Sequence, residues 1–179
     1  MVSTAEAAIK RSGRGQVALL TLVAIGAMTW GCAYSFKGGS VPPHLKTVAI
    51  PIVQDQSGYG DPRLRDQFTT ILLERFTNDN TLTLVDQAGA DAILEAMITN
   101  VREEAVSVAP GEEVRQRRMT VVARATFRDT KLKKTLWEKS FSQYGDFPSG
   151  GGPSLRDAGV LEAIQKLTED ILNETVAGW

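Results

Sequence analysis

The sequence predicts an α+β fold: a mixed β-sheet of about four strands with two amphipathic helices packed on one face, in the order β-α-β-β-β-β-α. Three observations support this prediction. Residues 61–76 and 154–172 carry apolar side chains at helical spacing. Residues 92–144 contain three strand patterns, one of which alternates strictly. Apolar content of 42% and charged content of 23% are typical of a folded globular protein.

The first strand is predicted over residues 46–53, where β-branched and apolar residues dominate. Pro51 cannot donate to a sheet ladder, so the strand ends there or lies at an edge. Asp61 and Pro62 predict the start of the first helix, because Asp caps a first turn and proline suits the first helical position. The apolar stripe of this helix consists of Leu64, Phe68, Ile71, Leu72 and Phe76.

A short strand is predicted over residues 82–86, and three longer ones over residues 92–101, 118–127 and 136–144. The segment 118–127 has period 2, with one apolar face and one cationic face. Its apolar face consists of Met119, Val121, Ala123, Ala125 and Phe127. The sheet is therefore expected to bury this face under the helices and to leave the arginine-bearing face open or available to a partner.

The second helix is predicted to begin at Ser154, with Asp157 three residues later as a capping-box-like partner. Its buried stripe is expected to contain Leu161, Ile164, Leu167, Ile171 and Leu172. Together the two helices cover a single core.

The N-terminal segment indicates export. Three basic residues precede an uncharged run over residues 16–30, and Gly31 precedes the single cysteine, Cys32. A basic flank, a short apolar run and a small residue at the cut are typical of a secretory signal peptide. A cysteine directly after the cut resembles the bacterial lipobox, in which the thiol is lipidated. Cys32 is therefore the candidate lipidation site.

Three interpretations of this segment stay open. Thr29 and Trp30 depart from the usual Leu and Ala or Ser of a lipobox, whereas Gly31 fits it. The competing interpretations are a transmembrane signal anchor, although a spanning helix needs about 20 apolar residues, and a buried core segment. We divide the chain into a signal peptide (1–31), a lipidated tether (32–44) and a single α/β domain (45–179). Ala33, in place of an inner-membrane-retaining Asp, favours the outer membrane.

The charge distribution is uneven. Between Val114 and Lys139 there are nine basic residues and two acidic ones, a net charge of +7. The candidate contact residues are Arg115, Arg117, Arg118, Arg124 and Arg128. One interpretation is that they contact an anionic partner. The other is that they form a solvated face paired with nearby acids, since exposed charge pairs are common.

Enzyme classes and several binding classes are disfavoured. The single cysteine and the single histidine, His44, exclude metal sites built from Cys and His. A Cys/His catalytic pair is not expected, because Cys32 is assigned to lipid and His44 follows Pro42-Pro43. We interpret His44 as a loop residue before the first strand, and expect no cofactor. Few aromatic residues accompany the basic stretch, so nucleic-acid binding is not expected.

Four segments resemble the LptE family of lipopolysaccharide-assembly lipoproteins: residues 32–36, 41–51, 90–95 and 136–138. The resemblance implies an outer-membrane lipoprotein, lipid-anchored on the periplasmic face, with two helices on a mixed sheet. It also implies a plug that sits inside the LptD-type β-barrel, assists its assembly and contacts lipopolysaccharide. A second resemblance, to CsgG-like and LpoB-like lipoproteins, implies curli export or activation of a peptidoglycan synthase.

Overall fold

A computed structural model of the chain describes residues 41–106, 116–150 and 152–178. The predicted signal peptide and Cys32 lie outside the described residues. The strands are β1 (Thr47–Ala49), β2 (Gln54–Asp55), β3 (Thr83–Leu84), β4 (Ala92–Ala105), β5 (Gln116–Asp129) and β6 (Lys134–Pro148). The helices are α1 (Leu64–Asp79) and α2 (Pro153–Ala177), with a short 3₁₀ turn at Gln87–Gly89.

The strands form one mixed sheet in the order β3-β1-β4-β5-β6, and β2 also pairs with β4. The three short strands run parallel to their neighbours, whereas β4, β5 and β6 form an antiparallel meander. The predicted α+β fold with two helices is confirmed. The sheet has six strands and not about four. Within the predicted strand 46–53, only β1 is strand, and it ends before Pro51, which has no N–H to donate. The separate strand β2 begins after this proline.

The core lies between the two helices and one face of the sheet. The five alternating apolar residues of β5 are all fully buried, which confirms the predicted strand and its face. The helices contribute the following buried apolar residues: Leu64, Phe68, Leu72, Phe76, Val160, Ala163, Ile164, Leu167 and Ile171. Leu161 is 37% exposed, so its predicted burial is wrong. Val160 takes its place, because the buried stripe of α2 is centred between residues 160 and 164.

Both helix starts differ from their predictions. Helix α1 begins at Leu64, and Asp61 accepts the backbone N–H of Arg63 at 2.9 Å ahead of that helix. Helix α2 begins at Pro153, so Ser154 already lies inside the first turn and cannot cap it. The predicted partner Asp157 instead accepts a hydrogen bond of 3.2 Å from Arg63.

Helix α2 approaches β6 most closely at two glycines. A Cβ built on Gly145 would collide with the carbonyl oxygen of Gly159 and would lie 2.9 Å from Cβ of Glu162. The backbones therefore touch where neither glycine has a side chain. Two polar contacts hold the same elements together, Lys139 Nζ to Glu174 Oε1 at 2.6 Å and Gln143 Nε2 to Asp170 Oδ2 at 2.7 Å.

Replacing Gly145 with Ala should push α2 away from β6 and lower the free energy of unfolding by about 2 kcal/mol or more, because a backbone carbonyl cannot move aside alone. Urea titration measures the change. The matched control is Gly89→Ala, where no atom lies within 4 Å of the added Cβ and a change below about 0.5 kcal/mol is expected. Equal stability of the two variants would contradict the close contact.

Candidate interaction face of the sheet

The sheet face opposite the helices carries the even-numbered residues of β5. The strand alternation that buries Met119 and Phe127 points Arg118, Arg124 and Arg128 to this open face. In the register, Arg118 lies between Glu104 of β4 and Asp146 of β6. Both helices pack on the other side, so no helix of the described residues covers this face.

Arg118 is held most firmly. Its Nε and Nη2 donate to the two carboxylate oxygens of Asp146 at 2.7 and 2.9 Å. Its guanidinium also lies over the ring of Tyr144, 3.5 Å from the ring centroid. The hydrogen bonds from Arg118 lower the pKa of Asp146, and the same pairing raises the pKa of Arg118.

Arg124 and Arg128 pair more loosely. Arg128 Nη2 lies 2.9 Å from Glu95 Oε1, whereas Arg124 Nη1 lies 3.6 Å from Glu138 Oε1. The Arg124 side chain is 56% exposed. It also borders a hollow of about 200 Å³ between the β2 segment and the sheet. That hollow is lined by Pro51, Ile52, Gln54, Glu95, Ala96, Met97, Arg124 and Thr126.

The five predicted contact arginines do not form one cluster. Arg118, Arg124 and Arg128 share the open face, whereas Arg117 alternates to the helix side. There its Nε donates to Glu103 Oε1 at 2.8 Å, and Arg156 lies 3.4 Å from the other oxygen of the same carboxylate. Arg115 lies outside the described residues.

The open face is balanced in charge. Its basic residues are Arg102, Arg118, Arg124 and Arg128, and its acidic residues are Glu95, Glu104, Glu138 and Asp146. Each of these arginines lies within 4 Å of one of these carboxylates. The three arginines that the basic stretch places on this face, Arg118, Arg124 and Arg128, are therefore compensated within the sheet. An anionic ligand would have to exchange with these carboxylates.

Asp91 is a polar centre that the sequence patterns did not single out. Its carboxylate accepts the backbone N–H groups of Lys46 (2.9 Å) and Thr47 (3.2 Å) and the ammonium of Lys131 (2.7 Å). The hydrogen bond from Lys131, followed by that from the Lys46 N–H, lowers the pKa of Asp91 to about 2. Asp91 thus joins the start of β1 to the turn between β5 and β6.

His44 has a role beyond that of a loop residue. Its Nε2 lies 2.5 Å from Oδ2 of Asp129, which is buried at the end of β5. Burial tends to raise the pKa of Asp129, but hydrogen bonds from His44 and the Leu132 N–H outweigh it, so this pKa is lowered. The first described residues are therefore fastened to the same end of the sheet as Asp91.

The low pKa of Asp91 predicts acid sensitivity. A carboxylate with a depressed pKa stabilises the fold above its unfolded pKa near 3.8, and this contribution is lost as the pH falls through about 2. Asp91→Asn should therefore be less stable than wild type by about 2 kcal/mol at pH 7. The difference should shrink between about pH 4 and pH 2 in urea titrations.

Lys131→Gln is the companion variant, because it removes the largest cause of the shift while keeping Asp91. It should show a weaker loss of stability over the same pH range. A stability difference between wild type and Asp91→Asn that stays constant from neutral pH down through the folded-state pKa would contradict this assignment.

Two features are absent from the described residues. Within residues 41–106, 116–150 and 152–178, no group of three or more His, Cys, Asp or Glu side chains could hold a metal ion. None of the helices that the structure describes has the length and apolarity to cross a membrane.

Solved structures share this fold at low identity. A hypothetical protein, CT253 from Chlamydia trachomatis, aligns with a TM-score of 0.56 and 12% identity over 73% of this chain and 95% of its own. A minor lipoprotein from Acinetobacter baumannii aligns with a TM-score of 0.55 and 11% identity over 76% and 95%. A PelC dodecamer from Paraburkholderia phytofirmans aligns with a TM-score of 0.53 and 12% identity over 76% and 93%.

Sequence comparison assigns the family. No curated protein has significant sequence similarity to the chain. The model of the LptE family, described as lipopolysaccharide-assembly, matches residues 45–175, a range that contains every strand and nearly all of both helices. The chain belongs to the LptE family of lipopolysaccharide-assembly lipoproteins.

Proposed function

We propose that this chain is an outer-membrane lipoprotein that plugs an LptD-type β-barrel, assists its assembly and contacts lipopolysaccharide. The observation that carries the proposal is the family match over the whole folded domain. No cofactor and no enzymatic step enter the proposal. Lipid on Cys32 would hold the domain at the periplasmic face of the membrane, since two or more acyl chains anchor a protein stably.

The barrel partner is tested by capture from detergent-solubilised membranes of the host. A tagged full-length chain should bring down a large outer-membrane β-barrel in comparable amount. The matched control is the Gly145→Ala variant, whose fold is expected to be weakened at a buried site. Capture of a peptidoglycan synthase or a curli exporter in place of the barrel would favour the second resemblance and overturn the proposal.

Lipidation predicts a defined mature N-terminus. Mass spectrometry of the membrane-extracted protein should show loss of residues 1–31 and an acylated glycerol on Cys32. Cys32→Ala should remain unprocessed, because the acceptor thiol is missing. A mature N-terminus elsewhere, or a Cys32→Ala chain that is processed normally, would contradict the assignment.

The open face is the proposed contact with lipopolysaccharide phosphates. Guanidinium groups bind phosphate bidentately, but here each arginine is already paired with a carboxylate. The pair that exchanges most readily is the longest and most exposed one, Arg124 with Glu138 at 3.6 Å. Arg118 is bound by both oxygens of Asp146 and by Tyr144, so it releases its partner less easily. Arg124 is therefore the leading contact residue.

Arg124→Ser should weaken lipopolysaccharide binding by about tenfold at low salt, the equivalent of one charge-assisted hydrogen bond. Its binding should also depend less on salt than that of wild type, because one screened charge is gone. Adding Arg118→Ser should extend both effects. The measurement is titration of the full-length protein in detergent with lipopolysaccharide at several salt concentrations.

The matched control is Arg65→Ser on α1. Arg65 is exposed to a similar degree and is also paired with an acid, Asp66, but it lies on the helix layer. This variant should bind as wild type does. If Arg124→Ser, with or without Arg118→Ser, has the same lipopolysaccharide affinity and salt dependence as Arg65→Ser, the open face is ordinary solvated surface and the proposed contact is wrong.

A further inference from the structure

The turn between β5 and β6 projects an apolar side chain among basic ones. Leu132 at its tip is 64% exposed, and Lys131, Lys133 and Lys134 surround it in the sequence. An exposed leucine flanked by lysines has the composition of a segment that lies at a membrane surface, with the leucine in the acyl boundary and the ammonium groups among phosphates.

Two of these lysines are available to a ligand. Lys131 is committed to Asp91 at 2.7 Å and to the carbonyl oxygen of His44 at 3.2 Å. Within the described ranges, no carboxylate forms an ion pair with the ammonium group of Lys133 or of Lys134. The nearby acids are already paired, Asp91 with Lys131 and Asp129 with His44. The turn therefore presents two uncompensated positive charges beside Leu132.

A hollow beside the turn has the size and lining for a phosphate-bearing headgroup. Its volume is about 420 Å³. It is lined by Ile93, Arg128, Asp129, Thr130, Lys133, Lys134 and Thr135. Three of these residues are cations and two are hydroxyl-bearing, whereas the single acid, Asp129, is buried and occupied by His44.

The turn has a fixed shape. The buried Asp129 carboxylate accepts the Leu132 N–H at 2.8 Å, and Lys133 adopts a left-handed backbone conformation with φ of 53°. Thr130 Oγ1 donates toward the carbonyl oxygens of Ala90 and Asp91 at 2.5 and 2.8 Å. Hydrogen bonds within the fold thus hold the turn with Leu132 pointing outward, so the turn would lose little conformational freedom on contact with a surface.

The chain enters the domain at this same end. His44 is bonded to Asp129 and lies about twelve positions after Cys32, so this stretch spans at most about 40 Å when fully extended. A lipid on Cys32 would therefore keep the turn within reach of the membrane surface, whereas the far end of β5 lies roughly 40 Å further away along the strand.

We propose that the β5–β6 turn is a membrane-contact site, with Leu132 in the acyl boundary and Lys133 and Lys134 bound to the headgroups of anionic phospholipids. The proposal rests on the membrane attachment proposed above. It adds a second contact that sets how the domain stands on the membrane. The site adjoins the arginine face that is proposed to meet lipopolysaccharide, because Arg128 borders both.

The test places an environment-sensitive fluorophore at the turn. Full-length chains carrying Leu132→Cys or Ile52→Cys are labelled and reconstituted into vesicles of phosphatidylcholine with phosphatidylglycerol, containing a lipid with a quencher near its headgroup. Ile52 is the matched control, because it is also apolar and 64% exposed but lies before β2. The wild-type chain, treated in the same way, gives the labelling background of Cys32.

The fluorophore at position 132 should be quenched several-fold more than that at position 52. Adding Lys133→Gln and Lys134→Gln should weaken the binding of the turn to the membrane by about fivefold per lysine, which is seen as reduced quenching at position 132. Vesicles without phosphatidylglycerol should also give reduced quenching at this position. Equal quenching at the two positions, or quenching unchanged by the lysine substitutions, overturns the proposal. Flotation of the vesicles measures separately whether the chain is attached to the membrane. If the chain floats with the vesicles but the fluorophore at position 132 is not quenched, the proposed contact of the turn is wrong while the lipid anchor stands.

Discussion

Burial of one face of β5 is the constraint on which the rest of the structure depends. Its five inward side chains are fully shielded from solvent. A slip of one residue would place arginines in the core, at a cost that no nearby partner could offset. The alternation therefore fixes both the register of the meander and the side on which the arginines lie.

That constraint also explains why the net charge of a sequence segment does not give the net charge of the surface on which its residues lie. The basic stretch holds only two acids, but a strand is balanced by its neighbours and not by its own sequence. The carboxylates that face Arg118 and Arg128 come from Asp146 and Glu95, both outside the basic stretch. The open face is therefore a set of ion pairs between strands, and the proposed contact with an anionic ligand depends on which pair opens at the lowest cost.

The elements with strong periodicity could be predicted from the sequence, whereas their ends could not. The alternation of β5 and the stripe of α1 follow from local spacing and hold in the structure. The starts of both helices differ from the prediction, because Pro153 and the Arg63–Asp61 contact compete with the expected caps. The exposed position of Leu161 depends on how α2 crosses β6 at Gly145, which is a tertiary contact without a local signal.

The contacts of Asp91 and His44 could not be predicted from the sequence. Asp91 and His44 lie far from Lys131 and Asp129 along the chain. The antiparallel pairing of β4 with β5 places Asp91 beside Lys131, and the parallel pairing of β1 with β4 brings His44 to the same end. No spacing rule covers such contacts, because they depend on which strands become neighbours. The same limit applies to the β5–β6 turn, whose lysines differ from one another only in whether an acid lies beside them.

The two proposed contacts give the domain a direction. With the β5–β6 turn at the membrane, the arginines of the open face follow one another along β5, from Arg128 near the headgroups to Arg118 about 33 Å further away. The pairs differ along that line: Arg128 lies 2.9 Å from Glu95, Arg124 lies 3.6 Å from Glu138, and Arg118 is bound by both oxygens of Asp146. An anionic lipid approaching from the Arg118 end would meet its most exchangeable cation only in the middle of the strand. The position of the weakest pair, more than the number of arginines, would then decide where along the face such a lipid is held.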